Sequence, residues 1–176
     1  MLVELAESVS VDMMPGERDP SNHSLPQQPL FASLLPYSSS MSTFRLVTNP
    51  YDITINGVHI VGTSGQNLDD IYKYVTTEDR LQIAEGTLHW RHMAPTAPDT
   101  LACLPFFESD PFVFDSTPHV YFIGNQPSFA QKLVRDPDTG VVVKIVLVPS
   151  FARTGEALIL NLRTLDVYLL KTAISL

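Results

Sequence analysis

Apolar and polar positions alternate through YDITI (51–55), as in a strand with one buried face. FRLVT (44–48) precedes it, closed by the turn-forming pair Asn49-Pro50, and VHIVG (58–62) follows. Asn56-Gly57 separates the last two runs. Both residues tolerate positive φ, so a two-residue hairpin is predicted there. Thr63-Ser64-Gly65 reads as a turn, after which the period lengthens. Asn67 is placed to cap a helix reaching Tyr74, with Asp69 and Asp70 favourable in its first turn. A second helix is predicted from Thr77 to about Arg91, with Leu81, Ala84 and Leu88 as its apolar stripe and Gly86 as its weak point.

The period of two returns in HVYFIG (119–124), QKLVR (131–135) and VVVKIVLVP (141–149), with DPDTG (136–140) as a turn. Two more strands are predicted at 157–162 and 166–170. Upstream, LVELAES places Leu2, Leu5 and Ala6 on one helical face, and SVSVDMM contains a short strand. PGERDPSNHSLPQQP and MAPTAPDTLACLPFFESDPF hold too many prolines for regular structure and are predicted to be ordered loops. Residues 30–41 have no clear period, although their Leu and Phe content places them against the body of the protein. Strands, then helices, then mostly antiparallel strands predict a mixed α/β or α+β layered fold. No internal repeat or low-complexity segment interrupts it.

Composition narrows the function classes. The 176 residues are 44% apolar and 17% charged, which is globular and the size of one domain or part of one. The formal charge is −8, and the local basic cluster Lys132, Arg135, Lys144 and Arg153 is interrupted by Asp136 and Asp138, so autonomous nucleic-acid binding is not expected. The lone Cys103 excludes an internal disulfide and a Cys-rich zinc site, and is expected to be a buried structural thiol. No apolar stretch approaches the roughly 20 residues of a membrane-spanning helix. MLVELAESVS carries Glu4 and Glu7 without a basic region, so a soluble intracellular protein is the expectation.

Candidate chemistry is sparse. His89 and His92 lie three apart on the predicted second helix, a spacing that can serve one metal, but no third ligand is near in sequence. GTSGQ (62–66) lacks the residue that a nucleophile elbow needs between Ser64 and Gly65. The acids of DPDTG and ESDP do not follow a calcium-loop pattern. These residues assign no catalytic, metal or cofactor site.

The stretches MPGERDPSNHSLPQQP, LVTNPYDITINGVHIVGTSGQNLDDI, RHMAPTAPDTL, DPFVF and PHVYFIGNQPSF, in this order, closely resemble the C-terminal part of the small (B) subunits of DNA polymerase delta, from about Val11 to Leu165. The resemblance implies a calcineurin-like phosphoesterase fold, a two-sheet sandwich flanked by helices. Residues 1–176 would be the C-terminal half of that domain, with its first half and an OB-fold domain upstream. Active relatives of the fold bind metals through Asp-x-His, Gly-Asp, Gly-Asn-His-Asp, His-Gly and Gly-His-x-His motifs. By the resemblance the first two lie upstream, and the rest are altered here. Gly16-Glu17-Arg18-Asp19 stands for Gly-Asn-His-Asp, Ser64-Gly65 for His-Gly, and Gly124-Asn125-Gln126-Pro127 for Gly-His-x-His. Glu17 and Asn125 keep an oxygen, but Arg18 would bring a fixed positive charge to a cation site.

The implied function is a non-catalytic scaffold subunit in the nucleus, with neither metal nor cofactor. Its partners would be the C-terminal domain of the polymerase delta catalytic subunit and a third accessory subunit. DNA would be reached only through the complex, and no membrane is involved. The alternative is a residual metal-dependent phosphodiesterase or nuclease. Tyr51 and Tyr72 are candidate exposed contact aromatics. Half a sandwich would expose apolar faces and strand edges, so the isolated chain is expected to aggregate or stay molten.

Overall fold

The computed structural model describes residues 2–136 and 140–172. Its centre is a five-stranded mixed sheet in the order β3 (Tyr51–Ile55), β4 (Val58–Thr63), β5 (Val120–Gln126), β7 (Val142–Pro149), β6 (Ala130–Arg135). β3 and β4 form the predicted hairpin, with Asn56 at φ 50° and Gly57 at φ 80°. The three inner strands β4, β5 and β7 run parallel, where mostly antiparallel pairing was expected. The difference comes from two connections. The segment carrying α2 (Gln66–Tyr72) and α3 (Arg80–His89) returns β5 parallel to β4, and β7 inserts between β5 and β6. Parallel neighbours need such long crossovers, and strand order is not written in the local period.

Alternation along the inner strands divides two cores. Val61, Tyr121, Ile123, Val143, Ile145 and Leu147 face α2 and α3. Ile60, Val120 and Val146 face the opposite way, against the hairpin of β8 (Glu156–Leu160) and β9 (Val167–Lys171). Burying each large aliphatic contributes about 1.5–3 kcal/mol. The hairpin's outer side leaves Ile159, Tyr168 and Leu170 exposed. Near the N-terminus, α1 (Leu2–Ser8) leads into β1 (Val11–Met13), which pairs in parallel with β2 (Phe44–Leu46). Residues 30–41 contain two 3₁₀ turns; Leu30 and Ser38 are buried, while Phe31 and Tyr37 are exposed. The short helix α4 (Phe151–Thr154), unforeseen in the sequence, links β7 to β8.

The helix caps differ from expectation. α3 begins after Asp79, whose carboxylate accepts from Leu81 N and Gln82 N, rather than at Thr77. It ends at His89, so His92 lies beyond the helix and the expected i, i+3 pair is not formed on it. α2 follows Gly65 (φ 108°), with no side-chain cap. Asn67 is buried inside instead: its Oδ1 accepts from Thr63 Oγ1 (2.9 Å) and its Nδ2 donates to Met93 O (2.8 Å). The turn expected at 136–140 falls partly outside the described residues.

Two carboxylates anchor these elements. Asp12 on β1 takes a two-pronged bond from Arg45 (2.7 and 2.6 Å) and a hydrogen bond from the Tyr51 hydroxyl. Asp70 on α2 accepts from Thr100 Oγ1 (2.7 Å) and Lys73 Nζ (3.0 Å). Burial alone would raise both acids, but their donors outweigh it and hold both below the usual 3.8. For Asp70 these donors include the nearby hydroxyl of Thr96, although Thr96 Oγ1 makes no hydrogen bond of good geometry. Burial, then Asp12, pushes Tyr51 up to about 12. A depressed carboxyl contributes stability that is fully present above its unfolded value and lost as pH falls through its folded value. The melting temperature should therefore hold from neutrality down to about pH 5 and decline below about pH 4. Asp70→Asn should lower it at neutral pH and flatten the acid decline. An equally steep decline in that variant would show that Asp70 contributes nothing.

Candidate functional site at the ends of the central strands

β4 and β5 are parallel, so their C-terminal ends lie on one edge of the sheet, where α/β proteins commonly place ligands. β4 runs into Ser64-Gly65. β5 shifts register between Ile123 and Gln126, with Asn125 at φ 56°. The loop after β1 closes the cluster. A β-carbon built on Gly16 would lie 3.5 Å from Asn125 Nδ2 and 4.0 Å from Ser64 Cβ. The structure thus brings together the three stretches singled out in the sequence.

What fills their meeting point is a network of neutral side chains. The two N–H groups of Asn49 Nδ2 are shared among Gln27 Oε1 (2.8 Å), Ser64 Oγ (2.7 Å) and Gln66 Oε1 (3.1 Å), while Asn49 Oδ1 accepts from Ser64 N (3.1 Å). Gln66 Nε2 donates to Gln27 Oε1 (2.9 Å), and Ser64 Oγ donates to Gln66 Oε1. Gln27 Nε2 reaches back to Gly16 O (3.0 Å) and Asn22 O (3.1 Å). Asn125 Nδ2 donates to Ser64 O (2.9 Å). Gln27 and Asn49 are each 1% exposed, so their amide bonds form away from water, where a missing partner is costly. The adjoining Gln126 is held by Arg80, which donates to its Oε1 (2.8 Å) and lies 4.4 Å from the centre of the Tyr72 ring.

This cluster does not fit a divalent cation pair. Its oxygens are uncharged, and those of Gln27, Asn49, Ser64 and Gln66 already accept from N–H or O–H groups. Of the altered first motif, Glu17, Arg18 and Asp19 are exposed, and Asp19 accepts from Gly16 N (2.7 Å). Among the described residues no group of three or more His, Cys, Asp or Glu is placed to hold a metal. His92 is engaged elsewhere, its Nε2 3.0 Å from Asp110.

Other sequence candidates are dispersed. Cys103 is half-exposed rather than buried; burial and then Asp110 raise its pKa, which disfavours the thiolate. Lys132 pairs with Glu85 (2.5 Å), whereas Lys144 is buried, so the basic cluster is no continuous patch. Tyr51 and Tyr72 are only half-exposed and already engaged by Asp12 and Arg80, which corrects their expected role as exposed aromatics. Gln27, Asn49 and Gln66 are site residues that the sequence does not single out.

The family model for the B subunit of DNA polymerases alpha and epsilon matches residues 1–131. The chain is 47% identical to the DNA polymerase delta small subunit of Arabidopsis thaliana over 170 residues, covering 97% of this chain and 38% of that protein. It is 45% identical to DNA polymerase delta subunit 2 of Drosophila melanogaster, covering 92% of this chain and 37% of that one. Against the Saccharomyces cerevisiae small subunit the identity is 40%, with 97% and 41% covered. The chain thus spans well under half the length of these relatives. With the mixed sheet and clustered motif stretches in place, this match shows that the chain belongs to the family of DNA polymerase alpha/epsilon B subunits.

Proposed function

We propose that this protein serves in the nucleus as a non-catalytic accessory subunit of DNA polymerase delta. It joins the C-terminal domain of the catalytic subunit to a third accessory subunit, and meets DNA only through the assembled complex. The fold is the C-terminal portion of a calcineurin-like phosphoesterase sandwich whose cation cradle has become a structural knot. One observation carries this reading: the three loops that would supply metal ligands converge, and neutral amides tie them together, Gln27 through Gly16 O, Asn49 through Ser64 Oγ and N, and Asn125 through Ser64 O. Phosphoester hydrolysis by two metals needs anionic or imidazole ligands open to the ions and a polarised water. An amide network that consumes its own oxygens supplies neither, but it fixes the loops rigidly. The similarity to polymerase delta small subunits supports the choice of complex.

Two measurements test the reading. Co-expression with the polymerase delta catalytic and third subunits should yield a stable complex by affinity capture and gel filtration. The purified protein with Mn²⁺ and a model phosphodiester should give no turnover above buffer. Turnover that disappears in Glu17→Gln or Asn125→Ala would instead establish the residual phosphodiesterase.

A further inference from the structure

The loop between α3 and β5 carries a surface that the network leaves unused. It is fixed at both ends. Leu25 N donates to Ala102 O (2.9 Å) and Leu104 N to Leu25 O (2.8 Å), while Met93 N donates to Phe112 O (2.8 Å) and Phe112 N to Asp110 Oδ1 (2.9 Å). Between these ties Phe107 is 98% exposed, Phe106 49% and Leu104 38%. The same residues border a groove of about 420 Å³, lined also by Ala97, Pro98 and Phe112. Aromatic side chains, phenylalanine included, are enriched at the buried cores of protein interfaces. The groove beside them has room for a bulky apolar side chain.

Charge selects the kind of partner. Between His92 and His119 the chain holds Asp99, Glu108, Asp110 and Asp115 and no lysine or arginine. Asp99 and Glu108 are exposed. Such a field repels nucleic-acid phosphates and anionic lipid, and favours Lys and Arg. We propose that this groove docks a segment of a partner polypeptide in which a bulky apolar side chain is flanked by Lys or Arg. The apolar side chain packs on Phe106 and Phe107, and the flanking cations meet Glu108 and Asp99. Asp110 serves mainly to hold the loop, since it is already bound to His92 and Phe112 N.

The inference rests on the subunit reading in one respect: the partner is sought among the other chains of the polymerase. The protein with benzoylphenylalanine in place of Phe107 is assembled with the catalytic and third subunits, irradiated, and its crosslinks are mapped by mass spectrometry. One dominant crosslink is expected, to an apolar residue within a few positions of Lys or Arg in another subunit. Asp99→Lys with Glu108→Lys should reduce its yield by at least about tenfold, with the remaining assembly checked by gel filtration. Crosslinks within the chain, to a second copy, to DNA or to an acidic segment would overturn the proposal, as would none above the dark control. Failure of the chains to co-purify would count against the subunit reading instead. The groove is then tested on the chain alone, once a cooperative thermal melt shows that it is folded, with a short Lys-flanked Leu-Phe peptide and its Glu-flanked counterpart. Preference for the first by at least about tenfold supports the proposal, and equal capture overturns it.

Discussion

Gly65→Ala is expected to lower the melting temperature of the purified protein by roughly 10 °C or more, about 3–5 kcal/mol of stability. Two costs combine. Gly65 has φ 108°, a conformation that side chains other than glycine rarely adopt, and forcing one there costs about 1–2 kcal/mol. The added β-carbon would also stand 2.2 Å from Gly124 O and 2.9 Å from Gln126 Nε2. The nearer atom is backbone of β5, so relief requires parting the strand ends that form the cluster. Gly57→Ala isolates the first cost. Gly57 also has positive φ (80°), but nothing lies within 4 Å of its added carbon. That variant should lose only about 1–2 kcal/mol. Thermal or urea unfolding of both variants decides the matter, and equal losses would refute the close approach of β4 and β5 as the larger cause.

Gly65 also shows how sequence and structure divide the information. Thr63-Ser64-Gly65 is legible as a turn because glycine and small polar residues interrupt an apolar run. That its φ serves a contact with Gly124, about sixty residues away, is not legible, because non-local packing leaves no mark on the local period. The same distinction runs through the fold. Asn56-Gly57 fixes its hairpin locally and is legible in the sequence. Asn67 has the ordinary attributes of a helix cap, yet its amide bonds Met93 and Thr63, and the tertiary contacts prevail. The parallel order of β4, β5 and β7 depends on pairing between distant segments, which alternation within each strand does not specify.

At the site, the resemblance draws attention to Arg18, Ser64 and Asn125, which by that resemblance stand where active relatives carry metal ligands. It does not reveal what takes their place. Gln27, Asn49 and Gln66 lie in the quoted stretches LPQQP, TNP and GTSGQN, where amides beside proline or glycine read as ordinary turn residues. Composition alone does not separate a solvated turn amide from one that is 1% exposed.

Asn49 is therefore the most informative residue of the cluster. Asn49→Leu keeps much of the volume but removes both N–H donors shared among three acceptors, and the acceptor of Ser64 N. Each buried group left without a partner costs about 1–3 kcal/mol, so a total loss of about 3–5 kcal/mol is expected after partial rearrangement. Asn125→Ala removes a single bond to Ser64 O and should cost only about 1 kcal/mol. Asn49→Asp separates the two readings of the site. In a knot of neutral amides, a carboxylate replaces the donating Nδ2 with an oxygen facing Gln27 Oε1 and Gln66 Oε1, and its burial is unfavourable. That variant should be at least as unstable as Asn49→Leu, and Mn²⁺ or Mg²⁺ should not restore it. A cation cradle would respond in the opposite sense: the added negative charge would improve the ligand set, and the metal would raise the melting temperature in proportion to the logarithm of its concentration. Denaturant titrations of the three variants, with and without Mn²⁺, therefore distinguish a structural core from a metal site through stability alone.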